Sequence, residues 1–348
     1  MFLEQIGADP SVWRAFEASA IAGQELGRVS FASHEQYRIF FEAGECDAVP
    51  AGRLRLESEL PAVGDWVTAR PVDSALALIE TVLPRRTQFS RRAPGKAAAE
   101  QVIASNINLA FIVCGLDGDF NPRRIERYLV LAHESGAEPV IVLNKADIAR
   151  SVAEAVETVE QIASGARVIV MSALQSVEAL AGLARDQTVA LLGSSGAGKS
   201  TIVNGLLGEQ KQATGGVRLD DSRGRHTTTS RMLLPLPEGG AIIDNPGLRE
   251  LQLWAEPAAL DEAFEEIRGF AERCRFRDCG HRDEPGCAVR EALEIGHVNI
   301  ERWQSYRKLE AELRHNLLEQ DARARAEQKK RWKSIHKALR KHPKYRNE

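Results

Sequence analysis

Gly193-Ser194-Ser195-Gly196-Ala197-Gly198-Lys199-Ser200 reads G-x-x-x-x-G-K-[ST] at every fixed position, and this octapeptide decides the fold. TVALL (188–192) ahead of it reads as a buried strand, and TIVNGLLG (201–208) behind it as a helix beginning at Thr201. Glycines let the backbone turn its N–H groups onto phosphate oxygens. The helix N-terminus adds a partial positive charge. In such a P-loop Lys199 neutralises the β- and γ-phosphates and Ser200 ligates Mg²⁺. Outward from it, INLAFIVCG (107–115), EPVIVLNKAD (138–147), RVIVMSA (167–173) and AIIDNPG (241–247) carry buried apolar runs, with helical spacing over 123–136, 151–164 and 177–184. Alternating buried strands and helices predict a parallel α/β sheet.

The base comes from Asn144-Lys145-Ala146-Asp147, directly after a strand. The Asp147 carboxylate suits the ring N–H and exocyclic amine of guanine, and adenine has no matching donors. Asn144 is placed to tie this loop to the P-loop, and the stem of Lys145 to cover the base. Ser172-Ala173 ends the next strand and offers backbone N–H to the guanine oxygen. Asp244, at the end of AII, sits where a carboxylate supports Mg²⁺, and the Gly247 N–H reaches towards the γ-phosphate. Between them, 211–232 is polar and Gly-rich, as expected of a nucleotide-ordered loop. One of Thr227, Thr228 and Thr229 should complete the Mg²⁺ shell, with Thr228 preferred.

The order of these motifs is unusual. An ordinary Ras-like GTPase runs P-loop, Thr loop, DxxG, NKxD, SA. Here NKxD and SA precede the P-loop, which is a circular permutation. The segment leaving DNPG then leads straight into the C-terminal region, so nucleotide state has a backbone path to it. Leu248 stands where Ras-like enzymes place a water-orienting Gln. His226 is the candidate replacement, since an imidazole can accept a proton from water. Its alternatives are contacting RNA or shaping the loop.

On the N-terminal side, 1–25 reads as a helical lead-in. GRVSF, YRIFFEA, GRLRLE, DWVTA and ALALIETV read as five short strands over 26–85. They predict a small β-barrel, OB-like rather than SH3-like. The basic segment 86–98 reads as a linker, 99–253 as the GTPase domain and 254–348 as a zinc-binding domain. Cys274-x₄-Cys279-x-His281-x₅-Cys287 gives three thiolates and one imidazole, a closed set suited to one structural Zn²⁺. Cys46 and Cys114 read as small hydrophobes.

The whole chain of 348 residues carries −3, yet residues 321–346 hold eleven Lys or Arg against two Asp or Glu, leaving an acidic body. The basic tail, with Trp332 and His336, suits phosphate neutralisation and base stacking, although a solvated helix has the same composition. At 43% apolar and 27% charged the chain is globular. Its longest apolar run is too short to span a bilayer and no secretory signal opens the sequence, so a cytoplasmic protein without membrane contact is expected.

The barrel, the order NKxD–SA–GSSGAGKST–GRHTTT–DNPG and the CxxxxCxHxxxxxC cluster together resemble the RsgA (YjeQ) family of circularly permuted ribosome-biogenesis GTPases, over roughly residues 25–300. The resemblance implies an OB-fold N-terminal domain, a central permuted α/β GTPase and a helical zinc-binding C-terminal domain. It implies GTP and GDP as ligands, Mg²⁺ with GTP, one Zn²⁺, and hydrolysis stimulated by the 30S ribosomal subunit and its rRNA late in that subunit's maturation. A monomer is expected. The family's catalytic His maps onto His226. Asn245 departs from the usual Thr or Ser of DxPG, and the loop after Ala173 lacks the frequent glycines. A nucleotide-gated rRNA-binding scaffold with incidental hydrolysis is the alternative.

Overall fold

The computed structural model describes residues 1–33, 36–56, 59–73, 75–92, 100–208, 231–244 and 257–316. Two lead-in helices, Phe2–Gln5 and Pro10–Ser19, come first. The second is capped by Asp9, whose carboxylate accepts from the Ser11 and Val12 N–H groups, with Pro10 in the first turn. Leu3, Ile6 and Val12 pack on Leu26, Trp66 and Leu83 of the barrel.

The barrel is built from β1 (Glu25–Ala32), β2 (Tyr37–Phe41), β3 (Gly44–Pro50), β4 (Trp66–Pro71) and β5 (Leu76–Val82). They pair in the order β1-β2-β3-β5-β4, and β4 returns to β1, so the sheet closes on itself. The pairing of β3 with β5 is parallel and the other four are antiparallel. Val29, Ile39, Val67 and Ile79 fill the interior with no exposed surface.

Two readings of this region need correcting. GRLRLE is not the third strand. Residues Gly52–Leu56 form a short helix between β3 and β4, burying Leu54, while the third strand is GECDAVP. The alternation of GRLRL imitates a strand, but it faces no partner, whereas GECDAVP has β2 on one side and β5 on the other. The stretch 86–98 is also more than a linker. Its first part forms β6 (Gln88–Arg92), antiparallel to β7 (Glu100–Ser105), with Phe89 buried beneath the pair. The remainder of that stretch, 93–98, lies outside the described residues.

The α/β portion contains β8 (Leu109–Gly115), β9 (Glu138–Asn144), β10 (Arg167–Val170), β11 (Thr188–Leu192), β12 (Arg231–Pro235) and β13 (Ala241–Asp244). Their order is β10-β9-β8-β11-β13-β12, all parallel except β12. β8 and β11 are buried along their whole length, as strands covered on both faces must be. The chain leaves β8 towards β9 on one side, and leaves β11 towards β13 on the other. That reversal is a topological switch point, and the crevice at the carboxyl ends of β8 and β11 is where such sheets bind ligands. β12 also pairs with β1 through Phe31–Met232 and Ala32–Arg231, so barrel and α/β sheet are hydrogen-bonded into one. Arg28 of β1 reinforces the seam. Its buried guanidinium donates to Thr188 Oγ1 at 2.8 Å and to the Ile6 carbonyl, and stacks on Trp66.

Helices Pro257–Ala263, Glu265–Ala271 and Ala288–Glu294 and a helix over 300–316 complete the described chain. Phe264, Ile267, Leu309 and Leu313 share one core with Ile125 and Leu129 of the helix Pro122–Ser135. The basic tail, with Trp332 and His336, lies outside the described residues.

Candidate nucleotide site and metal centre

β11 delivers the P-loop to the switch point, and the helix Lys199–Leu207 leaves it. Gly193 has φ +149° and Gly198 φ +98°. A Cβ at Gly193 would overlap the Val113 carbonyl oxygen of β8, and one at Gly198 would overlap the Asn144 amide nitrogen. Both positions require glycine because Val113 of β8 and Asn144 at the end of β9 press on the backbone. Lys199 is buried, and its Nζ donates to the carbonyls of Gly193, at 2.7 Å, and Ser194. Ser195 and Gly196 form the exposed crest, Ala197 is buried, and Ser200 and Thr201 are half-buried in the first helical turn.

Asn144 is the hinge pin of the site. It is 2% exposed at the end of β9. Its Nδ2 donates to the Ala197 carbonyl at 2.9 Å, and its Oδ1 accepts from the Ala173 N–H at 2.9 Å. One side chain thereby joins three loops: the P-loop, the loop bearing Lys145 and Asp147, and the loop bearing Ser172 and Ala173. Lys145 adopts a left-handed backbone (φ +65°), and Asp147 is exposed in the 3₁₀ turn Ala146–Ile148. Ser172 Oγ is buried with no hydrogen-bond partner among the described residues. Asp244, half-buried, ends β13 beside β11. His226, Thr227, Thr228, Thr229, Gly247 and Leu248 lie outside the described residues.

Two carboxylates join the site that motif reading did not single out. Asp117, in the loop after β8, accepts from Lys145 Nζ at 2.5 Å. Asp119 accepts from Ser194 Oγ and from Arg124 at 2.7 Å. The hydrogen bond from Lys145 holds the Asp117 carboxyl below the usual carboxylate range. For Asp119 burial works upward, but the hydrogen bonds from Arg124 and Ser194 prevail and the group also lies below its ordinary value. The available signal was DGD directly after a buried strand at the carboxyl edge of the sheet.

The second cluster is compact. The ligand atoms of Cys274, Cys279, His281 and Cys287 all lie within 4.8 Å of one another. His281 Nδ1 is 3.5 Å from Cys274 Sγ and 3.4 Å from Cys287 Sγ, and the two sulfurs are 3.9 Å apart. A tetrahedron with Zn–S arms of about 2.3 Å has edges of about 3.8 Å, so these spacings fit a zinc ion's ligand shell. Burial lowers the His281 pKa and favours the neutral imidazole that a metal needs. The Cys287 sulfur also accepts from the Arg290 N–H, at the start of the helix Ala288–Glu294. Cys46 and Cys114 are unpaired, and burial raises both thiols.

With this geometry in place, comparison with known proteins decides the family. The chain is 45% identical to the small ribosomal subunit biogenesis GTPase RsgA of Opitutus terrae, over 98% of this chain and 97% of that one. This chain belongs to the RsgA family. The RsgA protein of Leptospira interrogans is 41% identical over 97% of this chain and 96% of its own. The RsgA GTPase family model matches residues 82–254, the α/β portion with β6 and β7. Among solved structures, YjeQ from Thermotoga maritima superposes with a TM-score of 0.64 at 27% identity, covering 83% of this chain and 98% of that one. YloQ, a circularly permuted GTPase, shares the fold with a TM-score of 0.62 at 21% identity, covering 84% and 96%. RsgA proteins are GTPases, and the chain is a GTP hydrolase of that family.

Proposed function

We propose that this chain hydrolyses GTP to GDP and phosphate on the small ribosomal subunit, that the 30S particle stimulates its turnover, and that it acts late in that subunit's maturation. The observation that carries the reading is the single buried Asn144 joining the phosphate loop to both base-reading loops. Guanine is read by the Asp147 carboxylate under the stem of Lys145, beside the Ser172-Ala173 loop that Asn144 holds through the Ala173 N–H. The N–H groups of Gly193, Ser194, Ser195, Gly196, Ala197 and Gly198 cradle the phosphates, and Lys199 meets their charge. Mg²⁺ accompanying GTP would be held by Ser200 and Thr228 with Asp244 behind them, and would neutralise charge on the β- and γ-phosphates. His226 orients the attacking water in place of the Gln that Leu248 replaces, and the Gly247 N–H supports the γ-phosphate.

The Cys274, Cys279, His281 and Cys287 set would hold one structural Zn²⁺, its fourfold shell leaving no open position for catalysis. The barrel supports an RNA partner. Its order β1-β2-β3-β5-β4, with β3 parallel to β5 and a helix between β3 and β4, is that of an OB-fold. Tail residues 321–346 add phosphate-neutralising charge. No helix among the described residues is long and apolar enough to cross a membrane. The protein is read as a cytoplasmic monomer.

Phosphate release measured against purified small-subunit concentration tests this reading. Turnover should rise with subunits, and the stimulation should fall steeply as salt increases. In the same assay His226→Ala should keep GTP affinity and lose most turnover. Absence of stimulation would favour the nucleotide-gated scaffold.

A further inference from the structure

The loop between β8 and the helix Pro122–Ser135 presents two carboxylates to a site built for anions. Left bare, a carboxylate beside a phosphate-binding loop opposes the ligand by simple repulsion. Each of these acids has one cation. Asp117 faces Lys145 at 2.5 Å, and Asp119 faces Arg124 at 2.7 Å. The two acids share one turn, since the Asp119 N–H donates to Asp117 Oδ1 at 3.1 Å. Asp119 uses its other oxygen to receive Ser194 Oγ, which fixes the wall of the P-loop. Arg124 is held by its own backbone: Asn121 caps the helix, accepting from the N–H groups of Arg123 and Arg124. Arg124 and Asp119 are each about one-third exposed, at 35% and 31% of the side chain, so the pair is only partly screened by water.

We propose that Asp119 and Arg124 form a positioning pair for the P-loop: the carboxylate fixes Ser194, and the guanidinium cancels the charge that would otherwise repel the nucleotide phosphates. The pair touches no reacting atom, and it acts through Ser194. Its signature is the sign of its charge dependence. Loss of the cation alone leaves a negative group beside the loop, whereas neutralising both members removes the repulsion while the amide oxygen at 119 still accepts from Ser194 Oγ.

The test rests on the GTPase activity of the family. It measures the Kd for mant-GDP, and the KM and kcat for GTP, on the full chain in wild type, Arg124→Gln, Asp119→Asn, the double variant and Arg124→Lys. Arg124→Gln should raise Kd and KM about tenfold with a much smaller change in kcat, and the effect should shrink above about 0.5 M salt. Adding Asp119→Asn to it should bring Kd back to within about threefold of wild type, and Arg124→Lys should retain most of the affinity. A scaffold role alone would make the double variant at least as weak as Arg124→Gln, and that result overturns the proposal. So does an unchanged Kd in Arg124→Gln, or a loss confined to kcat. Should Arg124→Gln not fold, Arg124→Lys and Asp119→Asn still decide: Asp119→Asn should keep Kd within about threefold of wild type, and a tenfold loss in either variant overturns the pair. A wild-type chain that fails to bind mant-GDP would instead remove the guanine-nucleotide reading beneath it.

Discussion

Replacing Asn144 by Ala should separate nucleotide affinity from folding. The side chain is 2% exposed and makes two hydrogen bonds of 2.9 Å, one to the Ala197 carbonyl and one from the Ala173 N–H. Truncation strands both backbone groups, and each stranded buried group costs about 1–3 kcal/mol. The Ala173 N–H can recover a partner from water at the half-exposed edge, so the lower half of the summed range applies, about 2–4 kcal/mol. Its main effect is on the alignment of three loops that converge on one ligand. That cost falls on the fold, whereas affinity falls by what realigning the three loops costs; at about 1.4 kcal/mol per tenfold, a realignment cost of about 2 kcal/mol weakens mant-GDP binding about thirtyfold. The melting midpoint of the nucleotide-free chain should fall by only a few degrees, because β9 and β11 keep their ladders. Asn144→Asp refines the argument. Its carboxylate still accepts from the Ala173 N–H but turns an oxygen on the Ala197 carbonyl, so it should bind no better than the Ala variant. Equilibrium fluorescence titration and circular dichroism give the two numbers. A folded Asn144→Ala chain that binds mant-GDP within threefold of wild type refutes the reasoning, and so does an Asp variant clearly better than Ala.

Two further outcomes follow from the C-terminal helices. Arg302 is 4% exposed and donates to Glu126 at 3.0 Å, to the Ala263 carbonyl at 2.8 Å and to Glu266, over the face of Phe264. Arg302→Met leaves the fully buried Glu126 with Arg123 alone, and should lower unfolding free energy by about 3–5 kcal/mol in urea titration. Glu126→Gln in that background should recover part of the loss, and a change below about 1 kcal/mol would remove the structural weight given to this network. For the Cys–His cluster, a thiol-modifying reagent should release one zinc per chain in a colorimetric chelator assay, and Cys274→Ser should lower the bound metal and the melting midpoint together. Purified chain with no releasable zinc would refute the metal assignment.

Motifs whose chemistry is local were legible in the sequence. A phosphate cradle needs glycines and a lysine at fixed spacing, and a guanine reader needs one carboxylate at a strand end, so 193–200 and 144–147 stand out as units, and the fold joins the two loops through Asn144. What escaped depends on partners distant in the chain. GECDAVP holds two acids and ends in proline, and it becomes a strand because β2 and β5 pair with it on both sides. GRLRL alternates as a strand should, but with no neighbour to pair it becomes a single helical turn burying Leu54. Within 86–98 the arginines suggested a solvated linker, and Phe89 alone betrayed the buried face of β6. Arg302 is invisible in a charged helical stretch, since nothing nearby in sequence says that its partners are Glu126 and Glu266, which only the fold brings to it. Asp117 and Asp119 were missed for a related reason: their partners Lys145 and Ser194 come from two other loops.

In the permuted order DNPG leads along the chain into the C-terminal helices, and the described residues connect those helices to the P-loop by side chains. The helix Pro122–Ser135 is 14 residues long, a rod of about 21 Å. Its first turn reaches the P-loop through Arg124, Asp119 and Ser194. The same helix holds the 300–316 helix, through Glu126 to Arg302 and through Arg127 to both carboxylate oxygens of Glu312 at 2.7 and 2.8 Å. Ile125 and Leu129 put apolar weight behind those ion pairs, in one core with Leu309 and Leu313. A packed helix of this kind moves as a body rather than bending, because its neighbours leave no slack. A ligand that displaced the 300–316 helix together with the helix Pro122–Ser135 would displace Arg124, and one that displaced Ser194 would load the same helix from its other end. Linkage makes the two effects equal in free energy. A change in nucleotide affinity caused by a ligand seated on the 300–316 helix, and a change in that ligand's affinity caused by bound nucleotide, would be one coupling measured from its two ends.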